Sequence, residues 1–246
     1  MARSAGIIII GDEILSGKFA EQNAQFLIAE LRDLGVPLHR IEFIRDIEAD
    51  IVDSIQRVAE ACDWVFTSGG IGPTHDDVTI SAVAAAFNDD VVSDPELETL
   101  LRSHYGQALT PGQLRLAQVP HGTRLLFGDD PRWPVLLYRN IHLLPGVPAL
   151  FRRCFRSIRP RFQGSPLALA RVYSRLEETE LAAILDAAVA DYSKVRFGSY
   201  PRLDEPDYRV IITVEAETAA DANTAARALA TALGPNLVRS ELADGD

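Results

Sequence analysis

Ser68-Gly69-Gly70-Ile71-Gly72-Pro73-Thr74-His75-Asp76-Asp77 follows a short β-branched and aromatic run, Trp64 to Thr67, and leads into a helical pattern from Val78 to Phe87. A glycine-rich turn from strand into helix belongs to an α/β protein, and ligands of such sheets bind beyond the carboxyl ends of the strands. Gly69, Gly70 and Gly72 remove side chains so that backbone N–H groups can approach a ligand, while Pro73 stiffens the exit. The following helix points its N-terminus at the same place, where unpaired amides and the helix dipole favour a phosphate or another anion.

Upstream, Ile7 to Ile10 read as a strand buried on both faces, and Leu27, Leu31 and Leu34 mark a helix that Gly35 closes. Ile41, Phe43 and Ile44 suggest a second strand, and Ile51, Ile55, Val58 and Ala59 a second helix. Downstream, the pattern from Asp94 to Gln118 is helical and broken at Thr110-Pro111-Gly112. Leu136 to Tyr138 and Ile141 to Leu144 predict a hairpin at a sheet edge, and Pro145-Gly146-Val147-Pro148 opens a helix to about Ile158. Strand and helix alternate, which predicts a mostly parallel sheet covered on both faces.

Pro160, Gly164 and Pro166 place a boundary that divides the chain into residues 1–163 and 164–246. The second part reads as strand, helix, two strands and helix, a small α+β domain, with Leu242 to Asp246 as a frayed polar end. Glu177, Glu178 and Glu180 have the spacing of a solvated helix face, so this domain is not expected to supply chemistry.

The 246 residues are 47% hydrophobic and carry a net charge of −11, which argues against nucleic acid as a partner. Cys62 and Cys154 lie far apart without metal-ligand spacing, so neither a disulfide framework nor a zinc site is expected. The initial apolar run is only four isoleucines, too short for a signal or a membrane segment, and a cytoplasmic protein without a membrane partner follows as an expectation.

Asp76 and Asp77 end the glycine loop; Asp76 is the expected helix cap, and Asp77 the acid that works on a ligand. Gly11-Asp12-Glu13 ends the first strand and Asp46 the second, so acids from three successive strands line the same sheet edge as the loop. Carboxylates beside a phosphate repel it unless a divalent cation joins them, and a magnesium- or cobalt-type ion held by Asp77 and Glu13 is expected. Two better-known phosphate motifs fail. Gly11 to Gly17 before Lys18 is one residue too long for a P-loop and has Phe19 in place of Ser or Thr, and His75 replaces the third glycine of a dinucleotide fingerprint.

Gly11 to Gly17, Asn23 to Leu27 and Gly69 to Thr79 resemble the molybdopterin-binding (MoaB/Mog-like) superfamily. The motif order is similar to CinA N-terminal domains and more similar to the molybdopterin-binding-like domain of FAD synthase. That domain shares the loop, Arg139-Asn140 and Leu144 to Pro148, while Gly198 to Pro201 and Tyr208 resemble the small domain of the same group. The resemblance implies a three-layer α/β/α domain, homo-oligomeric assembly, and a nucleotide or pterin ligand, with molybdopterin itself a candidate. It also implies metal-dependent hydrolysis of ADP-ribose in the CinA type and of FAD in the FAD synthase type. Functional acids of the adenylyltransferase branch fall on Asp77 and Asp46. Asp130-Pro131-Arg132-Trp133-Pro134 departs from the CinA pattern, and His75 and Asp76 replace basic residues of the adenylyltransferases. No amidohydrolase or reductase-like half follows, so neither NMN deamidation nor FAD synthesis is expected.

The expected catalytic residues are therefore Asp77 and Asp46. The expected ligand contacts are Gly11, Asp12, Glu13, Ser68, Gly69, Gly70, Gly72, Pro73, Thr74, Asp76, Pro145 and Gly146. The leading expectation is a metal-dependent nucleotide-diphosphate hydrolase. A molybdopterin-binding or adenylating protein and a non-catalytic nucleotide sensor are the alternatives.

Overall fold

All six residues of β1 (Ala5–Ile10) are buried, and their side chains alternate between two separate hydrophobic layers. The structure, a computed structural model, describes residues 3–128 and 133–244. After β1 come α1 (Asp12–Leu15), α2 (Asn23–Asp33), β2 (Leu38–Ile44), α3 (Glu48–Ala61), β3 (Trp64–Ser68) and α4 (Thr79–Ala86). Then follow β4 (Val91–Ser93), α5 (Pro95–Tyr105), α6 (Pro111–Arg115), β5 (Gln118–Pro120), β6 (Arg124–Leu126), β7 (Val135–Tyr138), β8 (Ile141–Leu144) and α7 (Pro148–Ile158).

Six of these strands form one sheet in the order β2-β1-β3-β8-β7-β6. The first four run parallel, and β7 is antiparallel to both its neighbours. Ile8 and Ile10 pack with Ile51, Ile55 and Val58 of α3, with Ala82 and Val83 of α4, and with Leu97 and Leu101 of α5. Ile7 and Ile9 pack on the opposite face with Leu27 and Leu31 of α2 and with Phe151 and Phe155 of α7. The result is the expected three-layer α/β/α domain.

The hairpin β7–β8 is present but does not lie at an edge. β8 pairs with the central strand β3, and β6 takes the edge instead. The strands β4, β5 and β6 are three residues each, too short to show a period in sequence. β4 and β5 form a separate two-stranded ribbon beside the helical stretch.

The chain divides into two units, residues 1–164 and 165–246. Gly164 closes the first: its N–H donates to Leu34 O at 2.9 Å, and a Cβ there would meet Gly35 O at 1.9 Å. The second unit runs β9 (Ala168–Ser174), α8 (Glu178–Asp191), β10 (Arg196–Pro201), β11 (Val210–Ala216), α9 (Ala219–Leu233) and β12 (Leu237–Glu241). Its antiparallel sheet has the order β10-β11-β9-β12, a βαββαβ arrangement whose last strand the sequence did not announce. Val210, Ile212 and Val214 face Leu181, Leu229 and Leu233 in its core. Glu177 and Glu180 form a capping box at the start of α8, so they fix a helix end as well as facing solvent. The tail is not frayed at Ala243, whose backbone exchanges two hydrogen bonds with the Asn223 side chain, at 2.8 and 3.1 Å. Among the described residues no helix is long and apolar enough to cross a membrane.

A histidine lies deep in the first unit. His142 on β8 is 4% exposed, stacks on Phe66 at 5.0 Å, and has Nδ1 3.3 Å from Val65 O. Burial pushes its pKa down to about 4 from 6.5, with Arg161 and Arg124 adding to the shift against the Val65 carbonyl. The unfolded chain therefore binds a proton that the fold refuses, and this contribution to stability is complete above about 6.5 and lost as pH falls towards 4. His142→Phe should flatten that acid limb by on the order of 3 kcal/mol relative to the parent. Denaturant titrations of both proteins across that range check it, and parallel pH profiles would contradict it.

Candidate functional site

The loop after β3 is shaped by backbone crowding. Gly69 (φ 107°) and Gly70 (φ 66°) both occupy the left-handed region. A Cβ on Gly69 would lie 2.3 Å from Ile10 O, and one on Gly70 would lie 2.1 Å from Thr79 Oγ1. Thr79, fully buried at the start of α4, draws the loop inward: its hydroxyl donates to Gly69 O at 3.0 Å and its N–H to Gly70 O at 2.9 Å. Thr79 is not among the contacts expected from sequence, although a hydroxyl opening a helix beside glycines is a visible signal.

Asp77 turns back into the loop. Its carboxylate accepts the Gly72 N–H at 2.7 Å, the Thr74 N–H at 2.8 Å and the Thr74 hydroxyl. Neither acid caps α4, whose N-cap position is Val78 and has no side-chain cap. Asp76, expected as the cap, instead exposes 69% of its side chain beside His75. The amide wall is also narrower than the glycines suggested. Gly69 N–H is taken by Leu144 O and Gly72 N–H by Asp77, so that within the glycine run 69–72 the Gly70 and Ile71 amides are the ones without an acceptor among the described residues.

Facing the loop, Gly11 leads from β1 into α1, and Glu13 folds back so that a Gly11 Cβ would meet its Oε1 at 2.8 Å. Asp46, just beyond β2, accepts the Asp12 N–H through Oδ2 at 2.8 Å. Burial raises the Asp46 pKa, and the charges of Glu13, Asp12 and Asp76 raise it further against the Asp12 amide. Arg45, next in the chain, pairs with Asp50 at 2.8 Å and leaves Asp46 without that partner. A third component is Asn23, 4% exposed at the start of α2. Its Nδ2 donates to Ser68 Oγ at 2.8 Å and to Gly146 O at 2.7 Å, which binds the ends of β3 and β8 together.

These parts enclose a cavity of about 800 Å³. Glu13, Asp46, Gly69, Gly70, Gly72, Pro73, Asp76, Asp77, Pro145 and Gly146 all line it. Gly11, Asp12, Ser68 and Thr74 do not. Ser68 is buried against Asn23, Thr74 serves Asp77, and Asp12 faces a shallow surface beside Lys18 and Arg45. The cavity is also lined by Leu97, Leu100 and Leu101, by His104, Tyr105 and Trp133, and by Arg153 of α7. None of these was expected as a site residue, although Trp133 belongs to the departing segment, whose residues 130–132 lie outside the described residues. Among the described residues no three His, Cys, Asp or Glu side chains form a ready-made cation site. The oxygen donors of Glu13 and Asp46 suit a hard divalent ion that completes its shell with ligand phosphate and water, the usual habit of magnesium. Asp77, with its oxygens committed to loop donors, suits it less well.

Residues 6–164 match the family described as "Probable molybdopterin binding domain". The chain belongs to that family. Beyond this molybdopterin-binding domain, residues 166–241 match "FAD synthase, middle domain". A "Probable FAD synthase" from Caenorhabditis elegans is 30% identical over 244 residues, covering 88% of this chain and 47% of the relative. A "CinA-like protein" from Myxococcus xanthus is 28% identical over 237 residues, covering 89% of this chain and 56% of the relative. The chain thus spans about half the length of these relatives. The crystal structure of CinA from Thermoplasma acidophilum, a protein of unknown function, is 30% identical with a TM-score of 0.60, over 65% of this chain and 98% of that one.

The Asp77 geometry gives a direct test within the molybdopterin-binding domain. Asp77→Asn replaces one acceptor oxygen with an amide donor that faces loop N–H groups, so it should cost about 1–3 kcal/mol and loosen the loop. Asp76→Asn should leave stability within about 0.5 kcal/mol of the parent, as is usual for an exposed surface change. Hydrogen exchange at the Gly72 and Thr74 amides reads the loop directly. Parental protection in Asp77→Asn would remove its organising role.

Proposed function

We propose that the molybdopterin-binding domain binds a nucleoside diphosphate compound, with ADP-ribose and FAD as candidate substrates, and hydrolyses its diphosphate bond. The observation that carries this reading is the opposition, within one cavity, of two open loop amides and a pair of carboxylates without a basic partner from Arg45. An anion on the amides of Gly70 and Ile71 brings its phosphorus towards Glu13 and Asp46, a placement that is tolerable only with a cation between them.

In this reading Glu13 and Asp46 would hold a divalent metal, Asp46 through the oxygen not committed to the Asp12 N–H. When bound, such a metal supplies positive charge at the attacked phosphate and lowers the pKa of water. Gly70 and Ile71 fix the phosphate, Asp77 and Thr79 hold those amides in place, and Asn23 keeps Gly146 beside Gly69. Water oxygen bonds to phosphorus, the bridging P–O bond breaks, and two phosphomonoesters leave. ADP-ribose gives AMP and ribose 5-phosphate; FAD gives AMP and riboflavin 5′-phosphate.

Purified protein with ADP-ribose or FAD should release AMP in magnesium or cobalt. Glu13→Gln and Asp46→Asn should each lower the rate by roughly a hundredfold or more. AMP should also raise the parent's melting temperature, because it binds the folded state alone. Absence of AMP release from both substrates with every divalent metal tried would end the hydrolase reading. The family description supports a second reading, molybdopterin in the same cavity without hydrolysis. Tight pterin binding by a protein indifferent to AMP would select it.

A further inference from the structure

We infer that the part of the cavity lined by His104, Tyr105 and Trp133 is a ring-binding subsite, which takes the planar heteroaromatic base of the same ligand whose phosphate rests on the loop. The inference deepens the phosphate reading above and rests on it. Its wall is built by α5. Leu97, Leu100, Leu101, His104 and Tyr105 follow the spacing of one helical face. Leu97 and Leu101 are buried in the core beside Ile10 and Leu136, which anchors the helix. Asp94 caps its start by accepting from Glu96 and Leu97, and Gly106 (φ 94°) ends it. The same face therefore carries its last turn, with His104 and Tyr105, over the cavity as a fixed ledge.

The aromatic groups on that ledge meet by their edges. His104 lies 5.4 Å from Trp133 at 71° and 4.5 Å from Tyr105 at 84°. Among the described residues no ring stacks face to face on Trp133. Edge contact leaves π-faces open, and Tyr105 is 43% exposed, so a planar guest can cover apolar surface that now meets water. Charge points the same way. A phosphate ligand approaches a chain of net charge −11 past an acidic wall, so burying its ring is a source of affinity that this repulsion does not oppose.

The whole protein should be titrated in magnesium with AMP, riboflavin 5′-phosphate, ribose 5-phosphate and inorganic phosphate, with binding read by calorimetry. At least one ring-bearing phosphate should bind about tenfold or more tighter than ribose 5-phosphate, in line with the strength of base–aromatic stacking. Trp133→Ala should weaken that ligand by about five- to a hundredfold and leave ribose 5-phosphate within about twofold, while Trp133→Phe retains most of the affinity. His104→Ala, a change at an exposed position, should act in the same direction without touching the core. Equal binding of ringed and ringless phosphates, or equal losses for both in the variants, would overturn the ring subsite and leave the phosphate reading standing. Silence from all four ligands would overturn both.

Discussion

No side chain fits at Gly69. Its Cα sits where the carboxyl ends of β1, β3 and β8 converge, with Ile10 O on one side and Gly146 on the other, 3.3 Å from where a Gly146 Cβ would be. This crowding is what sets the loop across the sheet edge and brings it opposite Glu13 and Asp46. Asn23 secures the arrangement from the α2 side, since one amide group reaches both Ser68 and Gly146. A methyl group at Gly69 would have to separate strands whose pairing forms the middle of the sheet.

The loop is therefore held by hydrogen bonds of its own. Asp77 satisfies amides that would otherwise turn towards solvent, and Thr79 satisfies the carbonyls of Gly69 and Gly70. An ordered loop lowers the entropy cost of binding, because fewer torsions remain to be fixed. The acid wall has the opposite character. Burial and neighbouring carboxylates make the Asp46 charge unfavourable, a cost that protonation or a nearby positive charge would relieve.

Much of this was legible in sequence because it is local. The isoleucine run, the glycine loop and the helix patterns each signal through a few neighbouring residues, and acids just beyond strands are placed at one sheet edge by topology alone. What was not legible depends on contacts across the chain. Whether Asp77 caps a helix or turns back onto Gly72 is decided by backbone angles that neither residue type fixes. The hairpin's place in the sheet depends on β8 choosing β3, and β6 on β7, pairings that hydrophobic patterning leaves open. The aromatic ledge was hidden for the same reason: Trp133 meets His104 only after α6, β5 and β6 have come between them in the chain.

The fastening at Gly164 bears on how such chains are assembled. That residue is held to the end of α2 by a hydrogen bond and by the lack of room for a side chain, and the two family matches meet immediately after it, at residues 164 and 166. A splice placed at Ser165 cuts no strand, helix or core contact of either unit. The junction is a natural seam for gene fusion, at which a different module can follow the same α/β domain without disturbing the interactions that complete it.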